Sequence, residues 1–276
     1  MEIKRISILG CGWYGLALAK RLVEAGFLVK GSTTSEEKLT TLKDSQIEPY
    51  RIIIEEGKVD GDPTFFDTDV LIISIPPKRN SPSLYDYPEK ISAIASRAKE
   101  AGIKHVILIS STGVFQDGNF VVDESIVPIP NSVSGKMMLA AEESLTQHST
   151  FSTTIIRFAG LIGPGRNLAR HFAGKTGIDN GLAPINLIHL KDCIGLTLAI
   201  IKQHAFGKIY HGVSPDHPTR AEFYTKSCLA NGFAKPAFTL ELLAWKRIES
   251  KQVKATLAYD FTIKNWMEWI AIGMAD

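Results

Sequence analysis

Gly10, Gly12 and Gly15 come directly after the apolar residues Ile6, Ile8 and Leu9. The spacing G-x-G-x-x-G suits chemistry on a pyrophosphate. Gly10 permits a tight turn out of a strand. Gly12 puts no side chain between backbone and phosphate, and Gly15 lets the next helix pack closely on the strand. The N–H groups and dipole of that helix N-terminus then hold the negative charge. Alone, the motif also fits an ordinary glycine turn. Here a strand precedes it and a helix follows, with Leu16, Ala19, Leu22 and Val23 on its apolar face. Gly26 closes that helix and a second strand spans residues 27–31, an order that favours a nucleotide site.

The end of that second strand selects between dinucleotides. An NAD site usually has an Asp or Glu there, bonded to the ribose hydroxyls. This chain has Ser32, Thr33, Thr34 and Ser35 instead, no carboxylate before Glu36, and Lys38 one turn into the next helix. The hydroxyls of Thr33, Thr34 and Ser35 with Lys38 suit a 2′-phosphate, so NADP is favoured over NAD. Ser35 also reads as a helix cap, with Glu36 and Glu37 in the first turn, and that role is compatible with phosphate binding.

Around these residues the rest of the chain must supply a scaffold. Its 276 residues suffice for one large α/β domain or a domain plus a smaller lobe. The 31 basic and 29 acidic residues are well mixed, which gives no electrostatic footprint for nucleic acid. No apolar run is long enough for a membrane span. The first core strand begins so early that no signal peptide is expected. Three cysteines, Cys11, Cys193 and Cys228, show neither metal spacing nor a paired framework, so the expected compartment is the cytoplasm and no metal is expected. Cys11 has two readings, a reactive thiol at a helix N-terminus or a small residue filling a variable motif position; the second is favoured.

From the start to about residue 160, strands and helices alternate, as in a doubly wound Rossmann-type parallel sheet. Further strands are expected at 50–54, 70–75, 105–110 and 153–158, with helices at 91–101 and 134–147. Pro76 and Pro77 stop the wholly apolar run before them. After Gly163-Pro164-Gly165 the elements shorten, with helices at 192–202, 220–230 and 262–272. The expected organisation is a dinucleotide-binding domain over 1–165 and mainly a substrate-binding lobe over 166–276, with elements returning to the sheet.

In this order the chain resembles the extended short-chain dehydrogenase/reductases, the NAD-dependent epimerase/dehydratase group, over nearly its full length. Beyond the glycine loop, four features carry the likeness. Ser110-Ser111-Thr112-Gly113-Val114-Phe115 resembles the family's Ser-Ser-x-x-Val-Tyr strand end. Asp123-Glu124, trailed by Pro128 and Pro130, resembles its Asp-Glu loop. The stretch from Ile156 to Gly165 resembles the segment after its sixth strand, and Ile188-His189-Leu190-Lys191-Asp192 its Ile-His-x-x-Asp element. The resemblance implies that the backbone of Trp13 and Tyr14 faces the pyrophosphate with the glycines. It places Pro76 and Pro77 beside adenosine and ribose, and Ala159, Gly160 and Leu161 beside the nicotinamide amide. Asp60 or Asp62 reaches the adenine or forms a surface acidic turn. Ser111 matches a hydroxyl that bonds a substrate oxygen; a strand-end serine satisfying loop backbone is its other reading.

The family's catalytic Tyr-x-x-x-Lys pair is missing. None of the seven tyrosines has a lysine four residues on. Aligned without gaps, Ser134 takes the tyrosine's place and Met138 the lysine's. The glycine loop also departs, with Leu9 where the family often has another glycine. Both departures resemble the atypical branch of the superfamily. An aliphatic hydroxyl is shorter and far less acidic than a phenol, so Ser134 is no substitute. Ser111 and Thr112 become the catalytic candidates, with Tyr85, Tyr87 or Lys78 as donors from the loop after the fourth strand. Lys136 and the remaining histidines read as solvated or structural. His189 orders a loop, and Asp192 caps the helix it begins. Arg166 and Arg170 grip a substrate anion or solvate a helix face, and Trp266 and Trp269 belong to core. The expected function is an NADP-dependent oxidoreductase or epimerase for a small polar or nucleotide-sugar-like substrate, with a homodimer compatible with the resemblance. The alternative is a non-catalytic cofactor sensor.

Overall fold

The computed structural model describes residues 2–77 and 81–273. In chain order the first elements are β1 (Arg5–Leu9), α1 (Trp13–Glu24), β2 (Leu28–Thr33), α2 (Glu37–Asp44), β3 (Glu48–Arg51), β4 (Ile53–Glu55) and β5 (Lys58–Asp60). There follow β6 (Val70–Ile73), α3 (Tyr87–Glu100), β7 (His105–Ser111), β8 (Phe120–Val122), α4 (Val133–Thr146), β9 (Ser152–Phe158) and β10 (Gly160–Ile162). The last are β11 (Leu187–His189), α5 (Leu190–Lys202), β12 (Ile209–Gly212), α6 (Arg220–Ala230), β13 (Lys246–Ile248), α7 (Lys251–Leu257) and α8 (Trp266–Ala271).

Seven strands form one parallel sheet in the order β3-β2-β1-β6-β7-β9-β12, the doubly wound α/β fold expected from the alternation of elements. The chain winds outward from β1 to β3 and then crosses to β6, so the strand order reverses between β1 and β6. Ligands of open α/β sheets bind at such a reversal, beyond the carboxyl ends of the strands. All four residues of β6 are buried, as a strand covered on both faces requires. Burying each such side chain contributes about 1.5–3 kcal/mol. Helix α3 buries Ile91, Ile94, Ala95 and Ala98, the i, i+3, i+4, i+7 stripe of a helix lying on a sheet.

The chain divides into two compact units. The first comprises the residues up to Phe115 with Pro128–Arg157 and Thr197–Tyr210; the second comprises Gln116–Val127, Phe158–Leu196 and the chain from His211 onward. The core of the second unit gathers Ile162, Ile185, Leu187, Phe223, Ile263, Trp266, Trp269 and Ile270. Trp266 and Trp269 are therefore core residues.

Four local expectations are corrected. The strand expected at 50–54 breaks at Ile52: β3 joins the large sheet, while β4 turns back on β5 as an antiparallel hairpin. Glu56 and Gly57 both have positive φ there, as a two-residue hairpin turn of primed type requires. The last helix begins at Trp266 rather than residue 262, because Asn265 caps it by accepting from Met267 and Glu268 N–H. Asp192 does not cap α5; its carboxylate accepts from Tyr259 Oη at 3.0 Å, Thr262 N at 2.6 Å and Ile263 N at 3.1 Å, anchoring the C-terminal segment. His189 takes the place near the helix start, its Nδ1 accepting from Lys191 N at 3.2 Å. Ser35 does not cap α2 either, since Glu36 occupies that position without a side-chain bond.

Candidate functional site

The glycine loop is held by its neighbours. Gly10 has φ +99°, and a Cβ there would meet Ile75 at 2.7 Å. Gly10 N donates to Ser32 Oγ at 3.0 Å, Cys11 N to Ser32 O at 2.8 Å, and Ser74 Oγ donates to Gly10 O at 2.7 Å. The ends of β2 and β6 thus grip the turn from two sides. A Cβ on Gly15 would meet Gly10 O at 2.2 Å, so the close start of α1 demands glycine.

Gly12 differs from both. A Cβ there would have nothing within 4 Å, so the fold leaves space above it. Gly12 is also the N-cap of α1, which has no side-chain cap and no acidic residue in its first turn. A helix start of this kind favours an anion. Tyr14 is buried and its hydroxyl pairs with Thr197 Oγ1 at 2.7 Å, while Trp13 is half-buried.

A cavity of about 330 Å³ opens against this loop, and Gly10, Gly12, Thr33, Thr34 and Pro76 all line it. Lys38 lines it and also a neighbouring cavity of about 460 Å³ shared with Trp13, Lys20 and Thr41. Ser35 N is bonded to Thr33 Oγ1 at 3.1 Å. Pro77 is buried and Pro76 exposed. The first cavity also takes walls from Ile53–Glu55, Ser83 and Lys90, none of them anticipated from sequence. The Glu56–Gly57 turn folds Ile53–Glu55 back on Lys58–Asp60. Asp62 is occupied elsewhere, accepting from Thr64 N at 2.9 Å, and fits the acidic-turn reading.

Cys11 is buried and points at Ile8 O, with its thiol pushed up to about 12 by desolvation. It fills space beside Gly31. All three cysteines are buried, and among the described residues no cluster of His, Cys, Asp and Glu could hold a metal ion.

The strand-end candidates lie on the turn after β7. Ser111 is half-buried and its Oγ accepts from Gly113 N at 3.1 Å; Thr112 is buried. Ser132 caps α4 by accepting from Gly135 N at 3.1 Å, and a Cβ on Gly135 would meet Gly113 O at 2.4 Å. That close approach seats the start of α4 against the Ser111 turn. Ser134 is half-buried in the first turn, Met138 is buried one turn on, and Lys136 is exposed. Tyr85 is 65% exposed. Tyr87 is buried and donates to Ile75 O at 3.1 Å; burial raises its phenol, so it is a structural bond rather than a proton donor. Lys78 lies outside the described residues.

Behind the turn is a buried cluster that sequence reasoning missed. Ser110 Oγ donates to Glu142 Oε1 at 2.5 Å, and Arg157 donates to both oxygens of Glu142 at 3.1 and 2.7 Å. The Arg157 guanidinium also lies 5.2 Å from the Phe115 ring centroid. A charged residue inside the apolar run Ile155-Ile156-Arg157-Phe158 was the available signal, since a buried charge requires a partner.

In the second unit, Ala159 N donates to Gly212 O and Gly160 N to Asn186 O, which fixes Ala159, Gly160 and Leu161 at the β10–β11 pair. Asp123 and Glu124 form a clip. Lys251 Nζ and Ser125 hold the Asp123 carboxyl well below its ordinary range, while Glu124 accepts from His211 N at 3.0 Å and Lys251 N at 3.1 Å. Arg166 and Arg170 are exposed, Arg170 lying 5.9 Å from the Phe233 ring centroid. No described helix is long and apolar enough to cross a membrane.

Comparisons with known proteins bear on the family and the fold. A family model described as NAD(P)H-binding matches residues 10–180. Protein YeeZ of Escherichia coli strain K12 is 32% identical over 264 residues, covering 94% of this chain and 96% of its own. A UDP-N-acetylglucosamine 4-epimerase from Bacillus cereus shares the fold with a TM-score of 0.77 at 16% identity, over 99% of this chain and 100% of that one. The UDP-glucuronic acid 4-epimerase from Bacillus cereus, in complex with UDP-glucuronic acid and NAD, gives 0.76 at 19% identity, over 97% and 96% of the two chains. With the glycine loop, the open position at Gly12 and the uncapped helix start in place, the chain belongs to the NAD(P)H-binding family and has the Rossmann fold of the nucleotide-sugar epimerases.

Proposed function

We propose that this protein is an NADP-dependent oxidoreductase or epimerase acting on a small polar or nucleotide-sugar-like substrate, without the Tyr-x-x-x-Lys pair. The observation that carries the reading is the open position at Gly12 on an uncapped helix start, beside a second strand that ends without a carboxylate. Gly10, Gly12, Gly15 and the backbone of Trp13 and Tyr14 hold the pyrophosphate. Thr33, Thr34, Ser35 and Lys38 take the 2′-phosphate. Glu36, the first acid after β2, is drawn to Arg51 at 3.4 Å, which lessens its repulsion of that phosphate. Pro76 and Pro77 border adenosine and ribose, and Ala159 to Leu161 border the nicotinamide. The dinucleotide binds to residues 1–165, the substrate mainly to 166–276, and the assembly is a homodimer. Bound NADP supplies a hydride acceptor and NADPH a hydride donor. Ser111 accepts one backbone N–H and keeps its own proton to donate to a substrate oxygen, with Thr112 beside it.

Titration of both cofactors, read by tryptophan fluorescence and melting temperature, tests the binding half. NADP is expected to bind more tightly; equal affinity or tighter NAD removes the preference, and no response to any dinucleotide at millimolar levels removes the whole reading. For the chemistry, Ser111→Ala is expected to remove most turnover and Ser134→Ala to leave most of it. The reverse result overturns the assignment.

A second reading, a cofactor sensor, is favoured by Met138, a buried uncharged side chain in the lysine's place. The absorbance of bound NADPH separates the two. A reductase changes it on meeting its substrate, a sensor leaves it unchanged, and an epimerase that returns its hydride is detected by product analysis.

A further inference from the structure

The second unit contains a cavity of about 1230 Å³ lined by none of the residues named individually in the proposed function. None of its lining residues belongs to the unit that carries the glycine loop. Its walls include the rings of Trp245, Tyr259 and Phe261 together with Leu182 and Leu242, which are 42% and 50% exposed. The wall hydroxyls are committed inward. Ser214 donates to Ile263 O at 2.8 Å, Ser250 to His211 O at 2.6 Å, and Tyr259 to Asp192 at 3.0 Å. The surface left for an occupant is therefore largely ring and methylene, lined by leucines that no described residue covers fully.

Charge on this wall is unequal. Arg247, Lys251, Lys254 and Lys264 line the cavity against Glu249 and Asp260. Three of the cations are matched: Arg247 to Glu249 at 3.1 Å, Lys264 to Asp260 at 2.6 Å, and Lys251 to Asp123 at 2.6 Å. Lys254 stands one turn after Lys251 on α7 and is exposed. Among the described residues, no carboxylate lies within ion-pair distance of its ammonium. His217, also on the wall, bonds Ile185 O through Nδ1 at 2.9 Å. A carbonyl only accepts, so that nitrogen carries the proton of the neutral ring and Nε2 is left as an acceptor. We propose that this cavity is a binding site for a small amphipathic anion. Its apolar body lies against Trp245, Phe261, Leu182 and Leu242, and its carboxylate, sulfonate or phosphate head meets Lys254.

The test uses anilinonaphthalene sulfonate as the probe, with dodecanoate and dodecanol as competitors, on the full chain. The expected result is one saturable probe site per chain, displaced by dodecanoate at concentrations where dodecanol has little effect. Lys254→Glu should weaken the probe about tenfold with the melting temperature unchanged, and Lys254→Arg should retain it. Trp245→Phe should reduce energy transfer from tryptophan to bound probe. Equal displacement by dodecanol, unaltered affinity in Lys254→Glu, or unaltered transfer in Trp245→Phe each overturns the proposal. So does binding seen only on vesicles of anionic lipid. These outcomes are independent of dinucleotide binding, which is measured separately on the same variants.

Discussion

The start of α1 and the start of α4 are both helix N-termini in the first unit, yet they are finished in opposite ways. Helix α1 begins at Gly12 with no side-chain cap and with open space where a Cβ would lie. Helix α4 begins at Ser132, whose hydroxyl accepts from Gly135 N, and its first turn is pressed against Gly113 O. The polar groups around α4 find partners within the chain: Ser111 with Gly113, and Ser110 and Arg157 with Glu142. One helix start is left open and the other is closed by the protein itself. Next to the positions of the missing tyrosine and lysine, the buried charges of Glu142 and Arg157 are thus paired with each other.

The largest effect expected from this contrast is on stability. Glu142→Ala leaves Arg157 buried without its partner, which should cost about 3–5 kcal/mol. Chemical denaturation measures it, and a loss below 1 kcal/mol would mean that the buried cluster is not closed as described. Next comes Gly12→Val, whose backbone angles, φ −82° and ψ −154°, an L-residue adopts without strain. The free protein should lose no more than about 1 kcal/mol while dinucleotide affinity falls about 100-fold, near 2.7 kcal/mol. A normal affinity by calorimetry would show that the space above Gly12 is not where the phosphates lie. The smallest effect is Ser132→Ala, which removes a helix cap and should cost about 1 kcal/mol. Dinucleotide affinity should not change; if it does, the two helix starts are coupled and the contrast is weaker than drawn.

The part of the fold that was legible in the sequence is the part where each residue type has a local reason. Gly10 needs a positive φ, Gly15 needs to be small, Gly26 and Gly102 both take positive φ just after helices, and the stripe of α3 repeats at helical spacing. These are decided within a few residues of themselves. What escaped was decided at a distance. Ser110, Glu142 and Arg157 come from three elements, and Asp192 spends its carboxylate on residues 67 to 71 positions away. The β4–β5 hairpin was obscured for another reason: Glu56 takes φ +48°, so the turn lacks the Asn-Gly or Asp-Gly signature. The bond that ties Tyr87 to Ile75 O, and removes it as a proton donor, is visible only in three dimensions.

The pairing of β8 with β13 bears on how the chain is made. Phe120–Val122 leaves the ribosome early, but its partner strand Lys246–Ile248 follows far behind, and Asn119 and Trp245, which exchange hydrogen bonds, are 126 positions apart. At 5–20 residues per second that interval is about 6–25 s. The first unit has all its residues once Tyr210 has been added, whereas the second must wait for the last quarter of the chain. Through that interval Phe120–Val122 is an unpaired edge, followed by Ile126 and Val127, whose side chains are 38% and 76% exposed even in the finished protein. A nascent chain stalled between residues 210 and 245 should therefore be the form that chaperones hold longest and that aggregates most readily.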